Sequence, residues 1–255
     1  MRNYFKRIFT GAKKWEIAFW WIFRAMMIFG AFLPLFQDKM PSWLQVSREI
    51  PFGQNLLQMG ANTAAMFLWE IFMLFPEKSF LRQIPAYVQN VSAPFIFATA
   101  FCGAYLNMYY TLWWWDSMLH TLGAVIGVYA GYEFMCAIQK RDKCKVNLPI
   151  ILIASLGFCF MFGVLWELFE FSYDQIAHGD SQHWNYAIQD WEGGYHVLID
   201  PGYPAGSEEY RMRFALMDTM ADTINNTIGA VIGYILLRIY PYHHKGKHDL
   251  NKLYE

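Results

Sequence analysis

The chain is short of charge. Only 16% of its 255 residues are Asp, Glu, Lys or Arg, where soluble domains average about 25%. The formal net charge is −1, so no basic excess exists to neutralise phosphates, and nucleic acid is excluded as a partner. Cysteine is sparse too. Cys102, Cys136, Cys144 and Cys159 form no CxxC pair, which excludes a disulfide framework and a zinc knuckle. Arg2, Lys6, Arg7, Lys13 and Lys14 make a basic N-terminal region, but no small-x-small cleavage signal follows the apolar run 15–36. That run is expected to be a retained anchor and not a signal peptide.

Apolar and aromatic residues fill the gap. The chain is 56% hydrophobic and 19% aromatic, with eleven Trp and sixteen Tyr. This composition excludes an ordinary soluble enzyme and suits a bilayer with aromatic belts. Six spans of about 20 residues can be drawn, at 15–36, 56–75, 94–115, 116–138, 148–171 and 214–240. The expected fold is all-α: one integral membrane domain over 1–255, a polytopic helical bundle of about six transmembrane helices. Basic residues cluster in the N-terminal tail, in 139–147 and in the C-terminal tail, which six crossings place on one side. The positive-inside rule then makes both termini cytoplasmic in a cell (plasma or inner) membrane. The connection 172–213 falls outside and is rich in Trp, Tyr, Gly and Pro. It is expected to form an ordered extracytoplasmic cap.

Asp218, Asp222 and Asn226 recur at i, i+4 and i+8, which stacks them on one helix face at the mouth of the last span. With the orientation above, Asp116 and His120 lie at the outer end of span four, and Glu167 and Glu170 at the outer end of span five. Acids at membrane depth are costly and mark a site or a pathway. Several carboxylates close together require a cation or shared protons. Carboxylates with one imidazole and an amide oxygen suit Mg²⁺, Mn²⁺, Ca²⁺ or Zn²⁺. Asp116, Glu170, Asp218 and Asp222 are the expected metal ligands, and His120 and Glu167 the expected acid–base pair. Asn226, Arg211 and Arg213 are the expected substrate contacts, the arginines as a head-group clamp.

Other polar residues have simpler readings. Glu70 and Glu133 lie toward the inner side as structural or interfacial partners, and Arg24 needs an acid that spacing alone does not identify. Gly123, Gly127 and Gly131, with Gly229 and Gly233, are expected at close helix contacts, and such small-residue faces also permit self-association into a homo-oligomer. Leu68-Trp-Glu-Ile-Phe72 echoes Leu165-Trp-Glu-Leu-Phe169, a five-residue likeness too thin to imply duplicated halves.

Three motifs carry a family likeness. Trp115-Asp116-Ser-Met-Leu-His120-Thr-Leu-Gly, Leu165-Trp-Glu167-Leu-Phe-Glu170 and Asp218-Thr-Met-Ala-Asp222-Thr-Ile-Asn-Asn226-Thr-Ile-Gly229 resemble the YjdF-like inner-membrane proteins and the broader VanZ-like group. Ser117 stands where the VanZ-like motif tends to have lysine, and the long outer cap is a further departure. The resemblance implies a polytopic helical membrane protein with these polar residues as a shared site and, through the VanZ-like group, a link to the cell envelope. The expected function is a membrane-embedded, metal-dependent enzyme acting on a lipid-linked phosphate or ester at the outer leaflet. The alternatives are a proton- or cation-coupled transporter and a non-catalytic envelope or lipid-binding protein.

Overall fold

In the computed structural model, the residues described are 6, 8, 11–41, 52–177, 181–182 and 208–239, without the side chains of 37, 38, 54, 110 and 208–214. Helices are α1 (Lys14–Phe32), α2 (Phe52–Ala65), α3 (Leu68–Phe72), α4 (Tyr87–Phe97), α5 (Met108–Thr111), α6 (Trp115–Asp142), α7 (Leu148–Ala177) and α8 (Glu208–Ile239). No strand occurs among the described residues. Among the described residues, three helical segments are long and apolar enough to cross a membrane, Lys14–Phe36, Trp115–Asp142 and Leu148–Ile176, against the six spans expected. The last two extend beyond the expected 116–138 and 148–171. At 28 residues, α6 is about 42 Å long, more than the ~30 Å hydrocarbon core.

By contacts the chain divides into two units. One comprises Met1–Trp115, Tyr132–Ile151 and Pro241–Glu255, the other Asp116–Gly131 and Leu152–Tyr240.

In the first unit the expected span 56–75 is interrupted. Helix α2 stops at Ala65 and α3 starts at Leu68, with the chain turning at Met66–Phe67. Neither Gly nor Pro marks the break. It is held instead by side chains that take the freed Met66 carbonyl: Arg24 Nε at 3.2 Å, Arg24 Nη2 at 2.5 Å, and Gln89 Nε2. Arg24 is wholly buried and lies over the Phe67 ring at 3.8 Å. The acid it requires is Glu70, with Nη1 to Oε1 at 2.7 Å and Nη2 to Oε2 at 2.8 Å. This bidentate pair suits a low-dielectric interior, where an unpartnered guanidinium would be prohibitive. Glu133, the other inner acid, accepts from the Tyr87 hydroxyl.

The expected span 94–115 also differs. Its helix begins earlier, at Tyr87, carries Pro94 inside, and widens to a π-helix over Ala98–Tyr105. Phe97, Phe101 and Tyr105 stack along it, at 4.9 and 5.5 Å between ring centroids. Asn107, at φ 64°, then turns the chain, a left-handed position that asparagine tolerates. Gly30 makes room for this segment: a Cβ there would lie 2.6 Å from the Phe101 ring. Asn55, buried, donates to the Gly30 and Ala31 carbonyls near the end of α1, at 2.9 and 3.1 Å.

In the second unit, small residues bring helices together. A Cβ on Gly127 would lie 3.3 Å from Cys159 Sγ, and one on Gly131 would lie 2.9 Å from Ser155 Cα, both on α7. A Cβ on Gly229 would fall 2.1 Å from the Thr121 carbonyl oxygen, and one on Gly233 would lie 3.2 Å from Val125 Cα, both on α6. Backbones can approach this closely only without side chains between them. The outward face of α7 carries Phe160, Val164, Leu165 and Phe169 exposed. Such a face would promote aggregation in water but is solvated by acyl chains in a bilayer.

Candidate metal centre

Three helices of the second unit supply the site. On α8, Asp218 and Asp222 are both only 3% exposed, so the row of three polar residues turns inward. Asn226 completes it against α7, where Gly163 leaves space: a Cβ there would lie 3.5 Å from Asn226 Nδ2. One turn further on, the Gly229–Thr121 contact brings α8 onto α6 beside His120. This close approach is what sets Asp222 opposite the imidazole.

Helix α6 contributes Asp116 and His120, one turn apart. His120 Nε2 lies 3.5 Å from Asp116 Oδ1 and 3.4 Å from Asp222 Oδ1. One nitrogen therefore faces two carboxylate oxygens on different helices. Both separations exceed the roughly 2.7–2.9 Å of a charge-assisted N–H···O bond.

Helix α7 contributes Glu167 and Glu170. Trp166 Nε1 donates to Glu170 Oε1 at 2.9 Å and fixes that carboxylate. Both Glu167 oxygens are sealed from solvent without a hydrogen bond of normal geometry, with Thr219 as a neighbour. Ligand atoms of Asp116, His120 and Asp222 all lie within 4.8 Å of one another, as do those of Glu167, Glu170 and Asp222. Asp222 belongs to both groups. Two like charges 4 Å apart repel by about 4 kcal/mol at an effective dielectric of 20. The carboxylates therefore cannot all be ionised here without a cation or bound protons.

The structure thus brings together Asp116, His120, Glu167, Glu170 and Asp222. Asp218 is buried one turn before Asp222 but belongs to neither three-residue group. The side chains of Arg211 and Arg213 lie outside the described residues, as does most of the expected cap 172–213. At its start, α7 continues to Ala177, and buried Asp174 accepts from the backbone N–H groups of Ser181 and Gln182 at 2.7 and 2.9 Å. Gln182 Nε2 then donates to Thr219 Oγ1 at 3.0 Å. This tie from α7 to α8 carries no signal in the sequence: nothing there marks Gln182 as a partner of Asp174.

A helical chain with membrane-length apolar segments is a membrane protein. It belongs to the family described as "Predicted membrane protein (DUF2238)", whose model matches residues 50–243. An uncharacterised protein of Thermotoga maritima is 27% identical over 100 residues, which is 39% of this chain and 50% of that protein. The chain thus spans about half the length of this relative. No solved structure matches it.

Proposed function

We propose that this protein is a membrane-embedded, metal-dependent enzyme acting on a lipid-linked phosphate or ester at the outer leaflet. The observation that carries the reading is His120 Nε2 facing Asp116 and Asp222 while Asp222 also joins Glu167 and Glu170. A nitrogen among hard oxygen donors suits a divalent ion such as Mg²⁺, Mn²⁺, Ca²⁺ or Zn²⁺. When bound, the ion supplies charge stabilisation at the phosphoryl or carbonyl oxygen.

Asp116, Glu170, Asp218 and Asp222 hold the ion in this reading. Glu167 or His120 accepts a proton from water as its oxygen bonds to phosphorus or carbonyl carbon. The leaving oxygen departs with its bonding electrons and receives a proton in turn. Asn226 orients the acids from below, and Arg211 and Arg213 clamp the anionic head group. Six crossings with cytoplasmic termini in the cell membrane, and an ordered outer cap, complete the arrangement. Kinship with the YjdF-like and VanZ-like proteins belongs to the same proposal and favours a cell-envelope role.

Metal analysis of protein purified in detergent, followed by incubation with mixed membrane lipid phosphates and esters, tests this reading. Bound divalent ion and turnover lost on chelation are expected. A well-folded protein that neither contains nor takes up a divalent ion refutes it. A transporter reading draws on the interrupted α2–α3 segment, since broken helices form ion sites in transporters. Here Arg24 and Gln89 already occupy the freed Met66 carbonyl, which favours a structural role for the break. Ion or proton flux in proteoliposomes without lipid turnover would reverse the order. Full cellular function with Asp218, Asp222 and His120 all replaced would favour a non-catalytic envelope or lipid-binding protein.

A further inference from the structure

We infer that the cluster is built for two divalent ions bridged by the Asp222 carboxylate, one held by Asp116 and His120, the other by Glu167 and Glu170. The inference rests on the metal-dependent reading above. It recasts His120 and Glu167 as ligands in place of proton carriers.

Four observations support it. The first is the shared residue: two groups of three potential ligands meet at Asp222, and each spans no more than 4.8 Å between ligand atoms. A carboxylate has two oxygens and can serve one ion with each.

The second is distance. Two donor atoms about 2.1 Å from one ion, at a tetrahedral angle, lie about 3.4 Å apart. His120 Nε2 lies 3.4 Å from Asp222 Oδ1 and 3.5 Å from Asp116 Oδ1. These separations are long for a charge-assisted hydrogen bond and match two edges of a coordination polyhedron.

The third observation is Glu167. Its two oxygens are sealed from solvent within a half-buried side chain, with the Thr219 hydroxyl as their neighbouring donor. Burying a carboxylate in that state is costly unless something else binds it. The first group of ligands does not include Glu167; an ion in the second group would satisfy it.

The fourth is charge. With Asp218, buried one turn before Asp222, the carboxylates are Asp116, Glu167, Glu170, Asp218 and Asp222. One divalent ion offsets two of these five charges and a second raises that to four. The donor sets differ as well. The imidazole-containing group suits a borderline ion such as Zn²⁺ or Mn²⁺, and the all-oxygen group suits Mn²⁺ or Mg²⁺. Such paired centres clamp both the attacking and the leaving oxygen of a phosphoryl or acyl transfer.

The test uses full-length protein in detergent, stripped with chelator and titrated with Mn²⁺ alone. Stoichiometry is read by equilibrium dialysis, and the electron paramagnetic resonance spectrum reports coupling between ions. Two ions per chain with an exchange-coupled spectrum are expected. His120→Ala and Glu170→Gln, each kept monodisperse, should each bind one ion and lose the coupling. One ion per wild-type chain with an isolated-ion spectrum overturns the two-ion inference and leaves the metal-dependent reading standing. Loss of both ions in either single variant also overturns it, because the two groups would then not be separable. No Mn²⁺ bound by monodisperse wild type overturns both.

Discussion

Replacing Gly229 by alanine adds one methyl group outside the ligand set and so tests how the fold sets the site. The new Cβ would fall 2.1 Å from the Thr121 carbonyl oxygen and 2.9 Å from Ala124 Cβ. Backbone is the obstacle, so no side-chain rotation relieves the clash. Reaching even the ~3 Å at which real contacts begin requires α6 and α8 to separate by about 1 Å. Carried two turns back along α8, that shift takes the 3.4 Å between His120 Nε2 and Asp222 Oδ1 to roughly 4.4 Å, beyond what one ion can bridge with bonds of about 2.1 Å. Overpacking of this kind costs about 1–3 kcal/mol. The natural control is Gly157→Ala, since nothing lies within 4 Å of a Cβ there. Removing a helical glycine should stabilise the control by about 0.5–1 kcal/mol. Thermal unfolding in detergent and Mn²⁺ binding should show Gly229→Ala destabilised with at least tenfold weaker binding, and Gly157→Ala unaffected in binding. Wild-type affinity in a Gly229→Ala protein would refute the argument that this contact sets the ligand spacing.

Other perturbations probe separate parts of the account. Glu70→Gln should cost about 3–5 kcal/mol by leaving Arg24 charged and unpaired, whereas Arg24→Met with Glu70→Met together should cost much less; denaturant unfolding of the single and double variants reads the difference. Asn55→Leu strips the Gly30 and Ala31 carbonyls of a donor and should destabilise by about 1–3 kcal/mol in the same assay. Trp166→Phe removes one hydrogen bond to Glu170 and should weaken metal binding only a few-fold, as calorimetric titration would show.

The row on α8 was legible because helical spacing alone puts Asp218, Asp222 and Asn226 on one face, and the apolar run after it gives that face a direction. Asp116 with His120 and Glu167 with Glu170 were legible for the same reason. Hydropathy drew six spans, of which three coincide with membrane-length apolar helices among the described residues, with boundaries off because α6 and α7 outrun the apolar core. What escaped was held by contacts between distant residues. Arg24 needed an acid, but its choice of Glu70 lies 46 residues away. The break at Met66–Phe67 carries no Gly or Pro signal, because side chains from α1 and α4 stabilise it. The echo between 68–72 and 165–169 illustrates the limit: Glu70 pairs with an arginine, while Glu167 faces other acids. Nearly identical local sequences, differing at Ile71 and Leu168, gave the two residues opposite electrostatic roles.

The two-ion arrangement requires the His120 imidazole itself to bind metal beside Asp116 and Asp222, and metal-edge X-ray absorption tests it most directly. Protein loaded with Zn²⁺ or Mn²⁺ should show a first shell of oxygen and nitrogen donors at about 2.0–2.2 Å, with scattering from one imidazole that disappears in His120→Ala. A shell of oxygen alone, or a spectrum unchanged by that substitution, would contradict His120 as a ligand and with it the two-ion arrangement.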